Sequence, residues 1–510
     1  MNSYTMSFAK FLAVASTAVV AGLSQAQAFD IRALPAPLTD ADYLEEAVSP
    51  NGAKVELGRF LFFDPILSGN QNISCAHCHH PSFGMGDGLS LSVGEGGIGL
   101  GPERIVEADG SMLVVERVPR NAPHTFNLGL RQITHLFHDG RVSINADFPS
   151  GIKSPAGENL PNTLENIVAV QAMFPPTSAT EMAGQAGENE VADAAARGQL
   201  HGEGGVWDLL ASRLRGNSVY VEMFQAAFDD VQVAGDITFA HAANAIGAFE
   251  IAEFRADNSP FDKFLRGDFG AMSPEALSGM ALFYGDAGCA SCHEGADQTD
   301  GEFHAVGWPQ IGPGKGHGEW EVEDFGRSQV SFDLNDKYAF RTPSLRNVTL
   351  TGPYGHNGAF TDLRDAVVHH LNVIGSLGSY DMNDATLPSA GRFESDMQVM
   401  DDEFLRAALV ASSELRRPAN LTEEQVDHLM AFLAALEDTD SANRFDIVPN
   451  WVPSDLPLQF ESPVAEAEDL TTAVELILNR SASVDTNADD PLMLDGVRSV
   501  LGDLLQTASR

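Results

Sequence analysis

Apolar residues in this chain recur mostly at helical spacing. Leu363, Ala366, Val367, His370 and Leu371 fall at i, i+3, i+4, i+7 and i+8, one face of a helix. Within that stretch, DAVVHHLN at 365–372, the adjacent histidines must diverge. His370 lies on the apolar face and His369 about a third of a turn away, a peripheral position. The run ITFAHAANAIGAFEIAEFRA, 237–256, predicts another helix. Ser273-Pro274-Glu275 supplies an N-cap, a proline for the first helical position and an acid in the first turn. TEEQVDHLMAFLAALED, 422–438, opens on a capping box, Thr422 with Gln425, and a hydrophobic staple, Leu421 with Val426. Few stretches alternate as strands do. The pattern predicts a mainly α fold with long loops.

Two terminal segments stand apart. Residues 1–28 hold a lone Lys10, the run FLAVASTAVVAGL and Ala26-Gln27-Ala28, the layout of a secretory signal peptide cut after Ala28. The run is too short to span a bilayer, and no later one is long enough. At the other end, 446–510 is an acidic tail of unknown role. It is proline-punctuated at first, then amphipathic at Leu494, Val497, Leu501 and Leu504. That stripe suits docking on the body, docking on a partner, or plain core packing. Acids outnumber bases 72 to 30, a net charge of -42. Such a surface repels nucleic acid and anionic lipid, and attracts cations or a basic protein partner. General acidification for solubility is the other reading of the same charge.

The four cysteines change the picture. Cys75, Cys78, Cys289 and Cys292 fall as C-A-H-C-H and C-A-S-C-H, the pattern that attaches c-type haem, twice. Two matches that consume every cysteine leave none for a disulfide. His79 and His293 are then the proximal iron ligands, and His80 reads as a surface bystander. The motifs sit in longer matching halves. RFLFFDPILSGNQNISCAHCH answers to GMALFYGDAGCASCH, and PHTFNLGLRQITHLFHDG to PSLRNVTLTGPYGHNG. The expected organisation is two tandem cytochrome c-like haem domains, 29–268 and 269–445, joined near Arg266–Met272. Between the first motif and Arg104, GMGDGLSLSVGEGGIGLGPER contains a formal G-x-G-x-x-G. No strand precedes it and no βαβ unit surrounds it, which excludes a dinucleotide site; a loop against a flat cofactor fits better.

With these motifs, and with FRADNSPFDKFLRGDFGAMSPEALSGMALFYGDAGCASCHEG and FRTPSLRNVTLTGPYGHNGAF, the chain resembles bacterial di-haem cytochrome c peroxidases and the related MauG enzymes over roughly 45–440. The resemblance implies that Gln171, Pro175 and Glu181 lie over the open face of a peroxide-reactive N-terminal haem. Splitting O–O needs a proton moved from one oxygen to the other, which a carboxylate relays and an amide helps to position. Where many relatives carry a blocking histidine, this chain has Glu95, a poor haem ligand. Where they carry an inter-haem tryptophan it has His138, which is harder to oxidise and either bonds a propionate or fills space. Asn121, Thr351 and Pro353 match an inter-haem calcium site. The second ligand of the C-terminal iron, methionine or tyrosine in relatives, falls on His370.

These readings predict an exported, periplasmic di-haem c peroxidase-type oxidoreductase carrying two covalent haem c groups and one calcium ion. Hydrogen peroxide reacts at the N-terminal haem. Electrons come through a bis-histidine haem from a small redox protein or a protein substrate. The alternatives are a MauG-like protein-modifying oxidase and a non-catalytic di-haem electron-transfer or sensor cytochrome.

Overall fold

The computed structural model describes residues 34–108, 111–388 and 396–458. The expected signal peptide and residues 459–510 of the expected tail lie outside them. Helix α1, Gly52–Phe63, starts where the Asn51 side chain accepts from the Ala53 and Lys54 amides, and ends at Asp64-Pro65. A short antiparallel sheet follows: β1 His135–Leu136, β2 Val142–Ile144 and β3 Ile152–Lys153, with His135 opposite Ser143 and Ser143 opposite Lys153. Next come α2 Ile167–Ala172, α3 Glu190–Ala196, α4 Val206–Arg215, α5 Ser218–Ala227, α6 Phe239–Glu253 and α7 Pro260–Leu265.

Helix α8, Pro274–Phe283, begins at Ser273, whose hydroxyl accepts from the Ala276 amide. A two-stranded ribbon pairs β4, Phe303–His304, with β5, Phe340–Arg341. Helices α9 Leu363–Leu371, α10 Val373–Ser379, α11 Glu403–Ser412 and α12 Glu423–Ala434 complete the ordered helices of interest. The Thr422–Gln425 capping box forms as expected.

Two helix crossings repeat one device. A β-carbon on Gly58 of α1 would stand 1.9 Å from the Ala245 carbonyl oxygen of α6 and 2.8 Å from Phe249 Cβ. On Gly279 of α8 it would stand 1.8 Å from the His428 carbonyl oxygen of α12 and 2.9 Å from Phe432 Cβ. In both halves glycine lets the helix that precedes the cysteine motif touch a second helix at backbone distance, with an aromatic one turn further on. Phe62 and Phe63 pack on Phe249 in one half, and Phe283 and Phe261 on Phe432 in the other. Gly279→Ala is therefore expected to destabilise the haem-loaded protein by about 1–3 kcal/mol, read from its denaturant midpoint.

Helix α7 precedes the expected join yet packs Phe261 and Phe264 into the core of α8 and α12. An ion pair anchors it there. Arg346 and Asp262 are fully buried, and the guanidinium also donates to the Ala296 carbonyl just past the second cysteine motif. Losing one partner would leave a charge uncompensated in the interior.

Candidate haem and peroxide site

Both cysteine motifs fold into the same single turn. Cys75–His77 and Cys289–Ser291 are 3-10 turns, and the His79 and His293 amides each donate to the carbonyl of the first cysteine at 3.0 Å. The four thiols are unbridged. Each following histidine donates from Nδ1 to a main-chain carbonyl, His79 to Met85 at 3.2 Å and His293 to Gln298 at 3.0 Å. A carbonyl only accepts, so the proton sits on Nδ1 and the Nε2 lone pair is left for a metal. Burial lowers both imidazoles below the usual histidine range, His293 to about 4, which keeps them neutral.

His370 repeats this arrangement from the last turn of α9. Its Nδ1 donates to the Ala366 carbonyl at 2.8 Å, and it lies within electrostatic reach of His293. Three imidazoles presenting Nε2, two of them directly after paired cysteines, form a donor set that suits two haem c groups.

The histidines judged peripheral are not. His369 is fully buried, with Nε2 donating to the Val306 carbonyl at 3.2 Å and Nδ1 against the Ser376 hydroxyl at 3.0 Å. His80 is also buried, and its Nδ1 accepts from the Ser82 amide because the chain folds back in a turn at Pro81–Phe83.

Gln171 lies in the last turn of α2, Pro175 opens the turn Pro175–Thr177, and Glu181 sits within the one-turn π-type segment Ala179–Ala183. The Gly69 and Glu95 amides donate to the Met182 and Thr180 carbonyls, fixing that turn against two other segments. Burial pushes the Glu181 carboxyl up, and Arg141, Lys315 and Arg120 oppose the shift. Arg120 donates to Asp139 at 2.6 Å and to Asp324 at 2.8 and 3.0 Å, while Arg141 shares Asp139 at 3.2 Å. Sequence reasoning found Glu181 but none of its cations. They come from three distant segments, and no local pattern connects them.

Glu95 is held away by amides: one carboxylate oxygen accepts from Asn70 at 2.9 Å and Asn72 at 2.6 Å. The glycine-rich loop beside it wraps a cation. The Arg104 guanidinium donates to the carbonyls of Val93, Gly94 and Gly99. Glu250 of α6 was also missed. It is buried within electrostatic reach of Cys75, and burial pushes it up to about 8, which favours its neutral form.

His138 donates from Nε2 to the Asn121 carbonyl at 3.0 Å, and burial lowers it to about 4. Asn121 in turn donates its amide to the His356 carbonyl at 2.9 Å and its side-chain nitrogen to that of Leu89 at 2.8 Å. Those bonds bring Asn121 beside the segment that carries Thr351 and Pro353. Among the described residues, Cys292, Asp300 and His304 form the one histidine, cysteine and acid group close enough for a metal ion. There, however, His304 already pairs with Asp300 at 2.9 Å and Glu414 at 3.0 Å.

Comparison with known proteins identifies the family. The sequence profile of di-haem cytochrome c peroxidases matches residues 52–269. The methylamine utilization protein MauG of Methylorubrum extorquens is 31% identical over 318 residues, covering 62% of this chain and 68% of that protein. Cytochrome c551 peroxidase of Pseudomonas aeruginosa is 29% identical over 315 residues, 61% of this chain and 70% of its own length. The crystal structure of a MauG-like protein associated with microbial copper homeostasis shares the fold, with a TM-score of 0.51 at 23% identity over 82% of this chain and 97% of that one. The chain belongs to the di-haem cytochrome c peroxidase and MauG family, and so to a class of mainly helical oxidoreductases with two covalently bound haem c groups. No helix among the described residues is long and apolar enough to cross a membrane.

Proposed function

We propose that this protein reduces hydrogen peroxide at the haem held by Cys75, Cys78 and His79, and draws electrons through the haem held by Cys289, Cys292, His293 and His370. Haem c, when bound, supplies the iron at which peroxide is reduced and a second iron that passes electrons. The surrounding residues do the rest. Glu181 takes a proton from one peroxide oxygen at its carboxylate and delivers it to the other. Gln171 positions the peroxide, Pro175 fixes the approach of the turn, and Arg141, Lys315 and Arg120 favour the ionised form of Glu181 against the upward push of burial. His138 bridges to Asn121, which with Thr351 and Pro353 offers oxygens to a calcium ion. One Glu95 carboxylate oxygen is taken up by Asn70 and Asn72, and a carboxylate so engaged is a poor ligand for an iron held by His79.

The observation that carries this reading is the Glu181 carboxyl, raised by desolvation and within electrostatic reach of Arg141, Lys315 and Arg120, on the turn that the Glu95 amide fixes. Residues 1–28 direct the chain to the periplasm, and the charge of -42 suits a basic redox protein or protein substrate. Glu95 in place of a blocking histidine equally favours a MauG-like oxidase that modifies a protein. Resting EPR followed by stoichiometric peroxide tests the core of the proposal. One high-spin and one low-spin ferric haem are expected, with a rapid optical change on peroxide addition. Two low-spin haems inert to peroxide would make the protein a non-catalytic electron carrier or sensor instead.

A further inference from the structure

We infer that Trp308 is a redox relay between His370 and the protein exterior, through which a protein reductant or protein substrate is oxidised. The inference rests on the assignment of His370 to the second iron. Of the four tryptophans, Trp308 alone touches a residue of that set. Trp207 is buried and donates its indole N–H to the Met173 carbonyl, while Trp320 and Trp451 are 58% and 55% exposed.

The Trp308 ring is clamped. It stacks on His369 at 4.9 Å and 12°, meets His370 edge-on at 5.3 Å and 85°, and leans on Phe360 at 5.6 Å. A β-carbon on Gly355 would reach its ring carbons at 3.2 Å, so that backbone also lies flat against the indole. His369 is held in turn by Val306, two residues before Trp308, and by Ser376. A rigid ring in van der Waals contact with an iron ligand is well placed to exchange an electron with it. The residue is nonetheless only half-buried, and its indole N–H has no acceptor among the described residues.

Nearby side chains are poorer candidates. The hydroxyls of Tyr354 and Tyr380 donate to the Val348 and Ala359 carbonyls, which cannot take the proton a tyrosine must lose on oxidation. Burial raises both phenols further. His138 is a neutral imidazole, hard to oxidise, with its N–H on a carbonyl.

The step balances. Peroxide takes up two electrons and two protons to give two waters. One of those electrons comes from the haem groups when bound and the other from the Trp308 indole by way of His370, and the Nε1 proton leaves to solvent, giving a neutral indole radical. An external protein then returns both electrons, one of them to the indole, and a proton from water restores the N–H.

The experiment is freeze-quench EPR of the full di-haem protein after stoichiometric peroxide without donor, using unmutated protein grown with ring-deuterated tryptophan alongside Trp308→Phe. An organic radical is expected that narrows on deuteration and is lost in Trp308→Phe, while the initial optical response to peroxide and the low-spin signal of the second haem persist. Re-reduction by a basic c-type cytochrome should slow about tenfold in the variant. A protein that reacts with peroxide but whose radical is unmoved by deuteration, or equally abundant in Trp308→Phe, overturns the relay alone. One that does not react with peroxide at all sinks the peroxidase reading, and the relay with it.

Discussion

Glu181→Gln should slow the reaction with hydrogen peroxide by about 10²–10⁴-fold, the usual worth of a positioned acid–base group, and leave both resting haem spectra unchanged. Glutamine keeps the shape of the side chain and the turn Ala179–Ala183 but cannot take a proton. The pH profile gives a second readout. Burial raises the Glu181 carboxyl above the ordinary glutamate range, and the base is present only above that raised value. The rate should therefore climb with pH through an acid limb displaced upward from an ordinary carboxylate, and that limb should vanish in Glu181→Gln. Lys315→Met removes one of the cations that oppose the shift, so it should move the limb higher still. A rate unaltered by Glu181→Gln would remove the carboxylate from the proposed proton transfer.

The residues that sequence made legible are those whose signal is local. Paired cysteines followed by histidine, the caps at Ser273 and Thr422, and the helix carrying His370 all depend on neighbours within a turn or two. What escaped depends on segments far apart in the chain. Arg120, Arg141 and Lys315 come within electrostatic reach of Glu181 only after loops from both halves fold together. His369 looked peripheral because one apolar face was assumed for its helix. The segment carrying Val306 and Trp308 covers a second side of the same helix and buries it. His80 followed the same logic, its surroundings supplied by the return of the chain through Gly86. The aligned halves around the cysteine motifs were visible, but the repeated glycine crossings at Gly58 and Gly279 were not. A glycine states its reason only when the carbonyl it faces is known.

The largest spectroscopic change is expected from His370. Replacing it with alanine should abolish the low-spin signal of the second haem, because no neighbour is free to substitute. His369 is adjacent, but both of its nitrogens are engaged, with Val306 and Ser376, and its ring is stacked under Trp308. His370→Met makes the sharper comparison. A thioether in place of the imidazole favours the reduced iron, so the potential of that haem should rise by on the order of 100 mV. The bond from Nδ1 to the Ala366 carbonyl adds to the contrast, since it enriches the imidazole as a donor and has no counterpart in methionine. Potentiometry on both variants separates the two haems. The potential of the His79 haem should hold still while the other moves, and an unchanged low-spin signal in His370→Ala would place the second ligand elsewhere. If the potential does rise in His370→Met, the oxidised second haem becomes the stronger oxidant and harder to generate. The yield of the Trp308 radical should then fall even though Trp308 is untouched, which ties the ligand and the relay to one pathway.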